Sequence, residues 1–306
     1  MAKHLSENMR GAFFMVTCMA AFGINDALIK SSSEHFTLVQ TIFIRSIFTS
    51  ILLGILAWRQ KAFRVGIARR DWKLIFLRMV GEIIGAYLFL YSIFNMPLAN
   101  ATALLQSMPL AITLAAALFL KEDVGWRRYL AVLIGFGGVM IIVRPGTEGF
   151  NSFSFFALGA VVLFVCRDLT TRKISKTIPS SMVSFVTSLG IMVTSACALP
   201  LVEWQTVTLE NTSILMAASL FVIVGYVLSV SAMRTGDIGF VSPFRYTILL
   251  WSILLGILVF GDIPDIWTIT GSVIVVTTGI YTFYRERRLE TKANKERDLV
   301  AEEELS

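Results

Sequence analysis

Phe22-Gly-Ile-Asn-Asp26-Ala-Leu-Ile-Lys30 and Phe164-Val-Cys-Arg-Asp168-Leu-Thr-Thr-Arg172 share one spacing: an aromatic ring, an acid four residues on, a base four after that. They lie 142 positions apart, and each closes a long apolar run. The offset persists downstream. Phe119-Leu-Lys-Glu122 with Trp126 beyond it matches Phe260-Gly-Asp262 with Trp267, and the runs that follow end at Arg144 and Arg285, all 140 to 141 residues apart. The chain of 306 residues is therefore two related halves.

Apolar stretches of about 18 residues or more mark bilayer-spanning helices. Ten apolar segments occur here: 11–30, 38–58, 74–94, 99–120, 127–143, 153–171, 181–202, 213–232, 240–260 and 266–284. The composition agrees: 56% of residues are hydrophobic and only 16% charged, with mean hydropathy +0.73, too little charge to cover a soluble domain of this size. In hydrocarbon an open backbone has no partner, so the segments are expected to be helices. Short junctions such as Asn95-Met96-Pro97, Arg144-Pro145-Gly146 and Gly261-Asp262-Ile263-Pro264 separate them. The polar start, Met1–Arg10, leads into an apolar stretch that carries Asn25, Asp26 and Lys30 and lacks a small-residue cleavage site, so it reads as a retained helix, not a signal peptide.

Lys and Arg placement sets the orientation. With the N-terminus inside, 21 of the 27 basic residues fall in inner segments and only Arg144 falls outside; Lys30, Arg45, Arg78, Arg167 and Arg245 lie within or at the ends of spans. The net charge of +6 thus reflects membrane topology and gives no sign of nucleic-acid binding. Five spans per half is an odd number, so the second half enters the membrane upside down. The expected architecture is an all-α integral membrane protein of ten transmembrane helices. It consists of two inverted five-helix repeats, 11–143 and 153–284, with both termini cytoplasmic and a charged, solvated tail over 285–306.

Three features point to a family. They are the five-plus-five inverted plan, the Lys/Arg-rich connection between the second and third spans, and the endings Leu120-Lys121-Glu122 and Phe260-Gly261-Asp262. Glycine-rich fifth helices follow, with Gly135-Phe-Gly-Gly138 in one half and Gly271 in the other. Over residues 11–284 the chain resembles the drug/metabolite transporter superfamily, EamA type. Arg167-Asp168-Leu-Thr-Thr-Arg172 and Pro243-Phe-Arg245-Tyr246 resemble a bacterial subgroup labelled as S-adenosylmethionine or riboflavin carriers. The resemblance implies a multi-pass protein of a bacterial inner membrane.

Ionisable side chains in a span cost roughly 2.5–3.5 kcal/mol each on insertion scales, so each needs a reason. Arg78 and Glu82 are four apart and share a helix face, as do Asp26 with Lys30 and Asp168 with Arg172. Each pair reads either as a structural ion pair or as working machinery: a charged cavity wall at Glu82, a gate at each mouth for the other two. Arg45 is placed to pair with Asp26. Arg167 falls beside Asp168. Arg245, two residues after Pro243, is the leading substrate contact, because the proline frees a carbonyl and a guanidinium suits a carboxylate, phosphate or carbonyl-rich ring. Gln106 aligns within about one residue of Arg245 and Tyr246, near a second break at Pro109. Tyr246, Trp251, Tyr87, Tyr91 and Tyr226 either pack or offer a stacking wall for a flat solute. Gly81, Gly85, Gly135, Gly138, Gly225 and Gly271 allow close helix approach.

These features favour a secondary carrier of a small organic metabolite, working by alternating access through a cavity between the repeats. There is no GxxxxGK[ST] loop, so energy is expected from a solute gradient, exchange, or protons on Glu82, Asp26 or Asp168. No cofactor or metal is called for. His4 and His35 lie at or beyond the membrane boundary, and no nucleophile elbow or metal spacing occurs, which disfavours a membrane enzyme. No filter-like ring of polar residues favours a channel. Cys18, Cys166 and Cys197 all lie in apolar runs and are expected to be buried filler, without disulfides. Expected partners are the solute and membrane lipid, as a monomer or homodimer.

Overall fold

The computed structural model describes residues 2–119, 126–144, 151–171, 173–175, 177–235, 241–281 and 284. Among these residues regular structure is helical, with no strand. The helices are α1 (Ala2–Ser31), α2 (Leu38–Arg59), α3 (Arg69–Asn95), α4 (Leu98–Leu105), α5 (Met108–Phe119) and α6 (Trp126–Val143), then α7 (Ser154–Thr171), α8 (Ser180–Ala198), α9 (Leu209–Arg234), α10 (Thr247–Leu255) and α11 (Ile266–Tyr281). Among the described residues, seven helices are long and apolar enough to cross a membrane, with shorter apolar helical stretches over Leu98–Ile112, Tyr129–Val143 and Ile266–Tyr281.

Local chemistry fixes the ends. Thr37 and Thr208 cap α2 and α9 by accepting from the N–H groups of Gln40 and Asn211. At the end of α3, the Asn95 side chain donates to the Tyr91 carbonyl at 2.7 Å, and Met96 turns extended before Pro97. Helix α1 begins well before residue 11, because no Gly or Pro interrupts the polar stretch ahead of Gly11. The fourth apolar segment is not one helix. It bends at Gln106-Ser107, where Pro109 removes a backbone donor and the Ser107 hydroxyl turns back to the Leu104 carbonyl at 2.7 Å. The ninth is broken twice: a 3-10 turn, Ser242–Tyr246, precedes α10, and a π-helical turn, Gly256–Phe260, follows it and ends at Gly261 with φ 67°.

Large apolar side chains face outward, and polar side chains lie inside among an apolar core. Phe76, Leu133, Val162, Leu220, Leu258 and Val273 are exposed, while Gln40, Ser50, Ser92, Ser188, Ser219 and Ser252 are buried. This suits a bundle whose outside faces hydrocarbon and whose polar groups must find partners within. The same fact corrects the cysteine expectation. Cys18 is buried, its Sγ 3.1 Å from the Gly225 carbonyl, but Cys166 and Cys197 are exposed. Membership of an apolar run does not separate core from lipid face when both are apolar.

Packing joins the first half to the second. Helix α1 lies chiefly against α9, α3 against α7, and α2 against α8. The first two contacts are built alike. A Cβ at Gly225 of α9 would come within 2.7 Å of the Phe22 ring of α1, and a Cβ at Gly85 of α3 within 2.7 Å of the Phe164 ring of α7. Each ring therefore occupies the space of a missing side chain. Between α2 and α8 the Ser50 and Ser188 hydroxyls meet at 2.8 Å. Helices α6 and α11 touch through Gly138 and Gly271, where a Cβ on either would press on the other's carbonyl. At one end of this pair Arg144 bonds Asp265, whose Oδ1 also accepts from the Thr268 N–H at 2.7 Å. Burial opposes the Asp265 charge, but the Thr268 hydrogen bonds and Arg144 outweigh it and hold this carboxyl below its usual range.

Filling either glycine notch is expected to force the helices apart. Gly85→Val and Gly225→Val should each destabilise the bundle by about 1–3 kcal/mol, measured as a lower thermal midpoint in detergent, while Gly137→Val, which meets open space, should leave it unchanged.

Candidate functional site

Partly buried charge gathers on α1, α2, α3 and α7. Glu82, midway along α3, is the hub: its Oε2 lies 2.8 Å from Arg167 Nη1 of α7 and 3.8 Å from Arg78 Nη2, one turn back on its own helix. Arg167 also donates from Nε to Asp168 Oδ1 at 2.7 Å, and its guanidinium lies over the Phe164 ring, 4.6 Å from the centroid. Arg78 reaches past Glu82 to the hydroxyls of Thr171 (3.0 Å) and Thr187 (2.6 Å). Small residues make this proximity possible. Gly81 brings α3 so near α7 that a Cβ there would sit 3.3 Å from the Leu163 carbonyl and 3.5 Å from Arg167 Cβ.

The matching position in the first half is quieter. Asn25 stands before Asp26 as Arg167 stands before Asp168, and Asn25 Nδ2 donates to Asp26 Oδ1 at 2.8 Å. Arg45 on α2 lies within the electrostatic reach of both Asp26 and Glu82, yet forms no ion pair among the described residues. The pairing of Arg45 with Asp26 expected from adjacency is thus not a direct contact.

Lys30 does not pair with Asp26 either. Its Nζ crosses to Asp262 Oδ2 at 2.8 Å, donates to the Met96 carbonyl at 3.0 Å, and lies 4.7 Å from the centre of the Phe260 ring. The i, i+4 spacing permits the local pair, but Asp26 is turned inward with Asn25, and the shorter reach is to Asp262. Arg172, the expected partner of Asp168, lies outside the described residues, as do Leu120, Lys121 and Glu122.

The aromatic and helix-nine residues scatter. Arg245 is exposed on the 3-10 turn, near Cys18 of α1, apart from the Glu82 network. Tyr246 points its hydroxyl at α11, where a Cβ on Gly279 would overlap it, so it packs between helices. Trp251 covers Gly23 of α1, with its Cβ 3.2 Å from where a Cβ there would be. Gln106 occupies the bend between α4 and α5, its N–H on the Thr102 carbonyl at 3.1 Å. The Tyr87 hydroxyl is buried and faces Ser195 of α8 without a formed hydrogen bond. Tyr226 of α9 faces Arg78, and Tyr91 stacks edge-on with Phe153 and Phe156. Sequence reasoning missed Thr171 and Thr187 as guanidinium partners, since lone hydroxyls in a span give no signal. It also missed Asn25, although the repeat placed Asn25 opposite Arg167.

A helical bundle with large apolar side chains outside and ionisable groups paired within its spans fits a multi-pass membrane protein. The pattern of the EamA-like transporter family matches residues 9–144 and again residues 151–284. The chain belongs to this family. It is 28% identical over 298 residues to the "Riboflavin transporter" of Vibrio cholerae serotype O1, covering 95% of this chain and 98% of that one. It is 25% identical to the "S-adenosylmethionine uptake transporter" of Rickettsia bellii, over 92% of this chain and 96% of the relative. A third relative, the pseudopaline exporter of Pseudomonas aeruginosa, is 26% identical over 88% of this chain and 94% of its own. A solved structure, described as a crystal structure of a protein, shares the fold with a TM-score of 0.64 at 16% identity, over 92% of this chain and 98% of that one.

Removing the hub charge is expected to strand two guanidiniums. Glu82→Gln should cost about 1–3 kcal/mol of stability, read as a fall in the unfolding midpoint in mixed micelles, because it leaves two partly buried guanidiniums without their carboxylate. Arg245→Ala, exposed and outside the network, should shift that midpoint little.

Proposed function

We propose that this protein is a secondary active carrier of a small organic metabolite, moving it by alternating access through a central polar cavity. Ten spans with cytoplasmic termini form two inverted five-helix repeats, 11–143 and 153–284, in a bacterial inner membrane. The observation that carries this reading is the paired construction of the bundle: Phe22 seated on Gly225 and Phe164 seated on Gly85, around buried charge contributed by both halves. A swap of the two halves' roles exchanges one contact for the other, and repeats so related give two mirror-like states around a fixed site. The twofold family match and the uptake and export names of relatives support it. The solute is an amphipathic metabolite with an anionic or zwitterionic part. A solute gradient, exchange, or protons on the intramembrane carboxylates supply the energy.

Lys30 is the outer gate. It ties the end of α1 to both halves at once, through the Met96 carbonyl in the first and Asp262 in the second. Opening the outer mouth breaks these bonds together. Arg245, on the opposite side of the bundle, contacts solute as it passes the inner mouth.

Counterflow in liposomes tests the carrier reading without any assumption about coupling. Vesicles preloaded with S-adenosylmethionine or riboflavin should accumulate the labelled compound against its gradient, and single-channel conductance or strictly downhill flux would replace the carrier with a pore. The gate has its own check. Lys30→Asp and Asp262→Lys should each change the counterflow rate several-fold, and the double exchange should restore it. Failure of the exchange to restore the rate would leave the bridge as a helix anchor.

A further inference from the structure

The elbow that joins α2 to α3 carries six basic residues, Arg59, Lys61, Arg64, Arg69, Arg70 and Lys73, and all six are exposed. The one acid among them, Asp71, is withdrawn from the surface. It is buried, and its carboxylate accepts from the Ser175 N–H at 3.1 Å and the Ser175 hydroxyl at 2.9 Å. The outward face of the elbow is therefore positive, with no acid of its own to offset it. Large aromatic side chains stand among the bases: Trp58 is 72% exposed, Phe63 49% and Trp72 44%.

The bundle pins this segment along its length. The Gln60 side chain accepts from the Ser181 hydroxyl of α8 at 2.7 Å. Ala62 is buried at the start of a 3-10 turn, Ala62–Arg64. Phe63 meets the Phe185 ring of α8 edge-on, with 5.4 Å between centroids. Further on, Ile75 packs with Ile178 and Val183, and Ile67 lies against them. Lys61 follows the end of α2 at φ 54°, the left-handed position where glycine is the ordinary residue. A side chain there bears a backbone cost that glycine avoids, and this one adds a charge of the same sign as its neighbours.

We propose that the α2–α3 elbow is a binding surface for anionic phospholipids, with its six bases on the headgroup phosphates and Trp58, Phe63 and Trp72 set among the upper carbons of the chains. This is independent of what the protein carries. It needs α2 and α3 to span the bilayer, which their length and hydropathy allow. Position and composition together select lipid over a soluble acid. One span ends and the next begins here, so the face lies at the level of the headgroups. Clustered Lys and Arg immediately beyond a span attract anionic lipid, and aromatic rings settle at the same depth. An oligonucleotide or an acidic peptide would answer the charge and leave the rings in water. Because α8 already holds the elbow in place, binding has little loop to order.

The test uses the full-length protein in phosphatidylcholine vesicles that contain a minor share of one brominated lipid, either phosphatidylglycerol or phosphatidylcholine. Bromine quenches tryptophan on contact. At equal share, brominated phosphatidylglycerol is expected to quench roughly twice as strongly or more, an excess that high salt reduces. Trp58→Phe with Trp72→Phe removes the two tryptophans of the elbow and leaves the other four of the six, so it should erase the excess and keep the quenching by brominated phosphatidylcholine. Arg69→Gln, Arg70→Gln and Lys73→Gln together should erase most of the excess with both reporters in place. The comparison of the two lipids on the unaltered protein needs no variant to fold. Equal quenching by the two lipids overturns the proposal, and tight binding of a single-stranded oligonucleotide in that case makes the elbow a nucleic-acid surface. An excess that survives the tryptophan pair or the glutamine triple also overturns it. So does loss of the excess to free glycerol phosphate at matched phosphate concentration and ionic strength, which makes the elbow a site for soluble phosphates.

Discussion

Charge inside a lipid-facing bundle has only other protein groups to turn to, and the Glu82 carboxylate is where this protein meets that constraint. One acid on α3 holds Arg167 at 2.8 Å and Arg78 at 3.8 Å, and through Arg167 it is linked to Asp168. Desolvating two guanidiniums without it would be costly. The close approach of α3 and α7 at Gly81 and Gly85, the placing of Phe164, and the reach of Arg78 to Thr187 on α8 are all arranged around this contact. The three helices are locked together by electrostatics in the one region where hydrophobic packing has no preference between a neighbour and a lipid tail.

Much of this plan was legible in the chain. Long apolar runs bounded by Asn95-Met96-Pro97 or Gly261-Asp262 can only be helices, and the repeated Phe-Asp-base spacing pointed to the two phenylalanines that fill matching notches. The Arg78–Glu82 approach is local, so helical periodicity alone brings the two together. Contacts between distant segments were harder. Lys30 and Asp262 are 232 residues apart, and nothing in a one-dimensional pattern tells which of two acids a lysine will choose. The lipid face hid from reasoning of any kind based on apolarity, which is why Cys166 and Cys197 were misplaced. For Tyr246 and Trp251 the pattern leaves packing and a stacking wall both open, because an aromatic ring in a span serves either end equally well; in the structure both rings lie at helix contacts.

The two halves match one family pattern and differ in charge. Asn25 donates to Asp26 just as Arg167 donates to Asp168, at 2.8 and 2.7 Å. Only the second of these donors is itself charged and reaches across to an acid in the other half. Duplication supplies a symmetric frame, and divergence at a single position before each aspartate makes one side a closed ion network and leaves the other with groups whose hydrogen bonds are unmade.

The π-helical turn at Gly256–Phe260 has a bearing on what changes of length this chain tolerates. A π turn fits one residue more than an α turn into the same full rotation. Phe260 and Asp262, the ring and the carboxylate around the Lys30 ammonium, lie at its far edge. Losing one residue from the turn would therefore restore an α turn and leave the positions beyond it facing nearly the same way. Losing one residue from the regular helix α10 just before it has no such slack and would swing Phe260 and Asp262 by ~100° about the axis, away from Lys30. The irregular turn is thus the one place in this segment where a change of length is absorbed locally, and the regular helix is where it is felt by a partner far away in sequence.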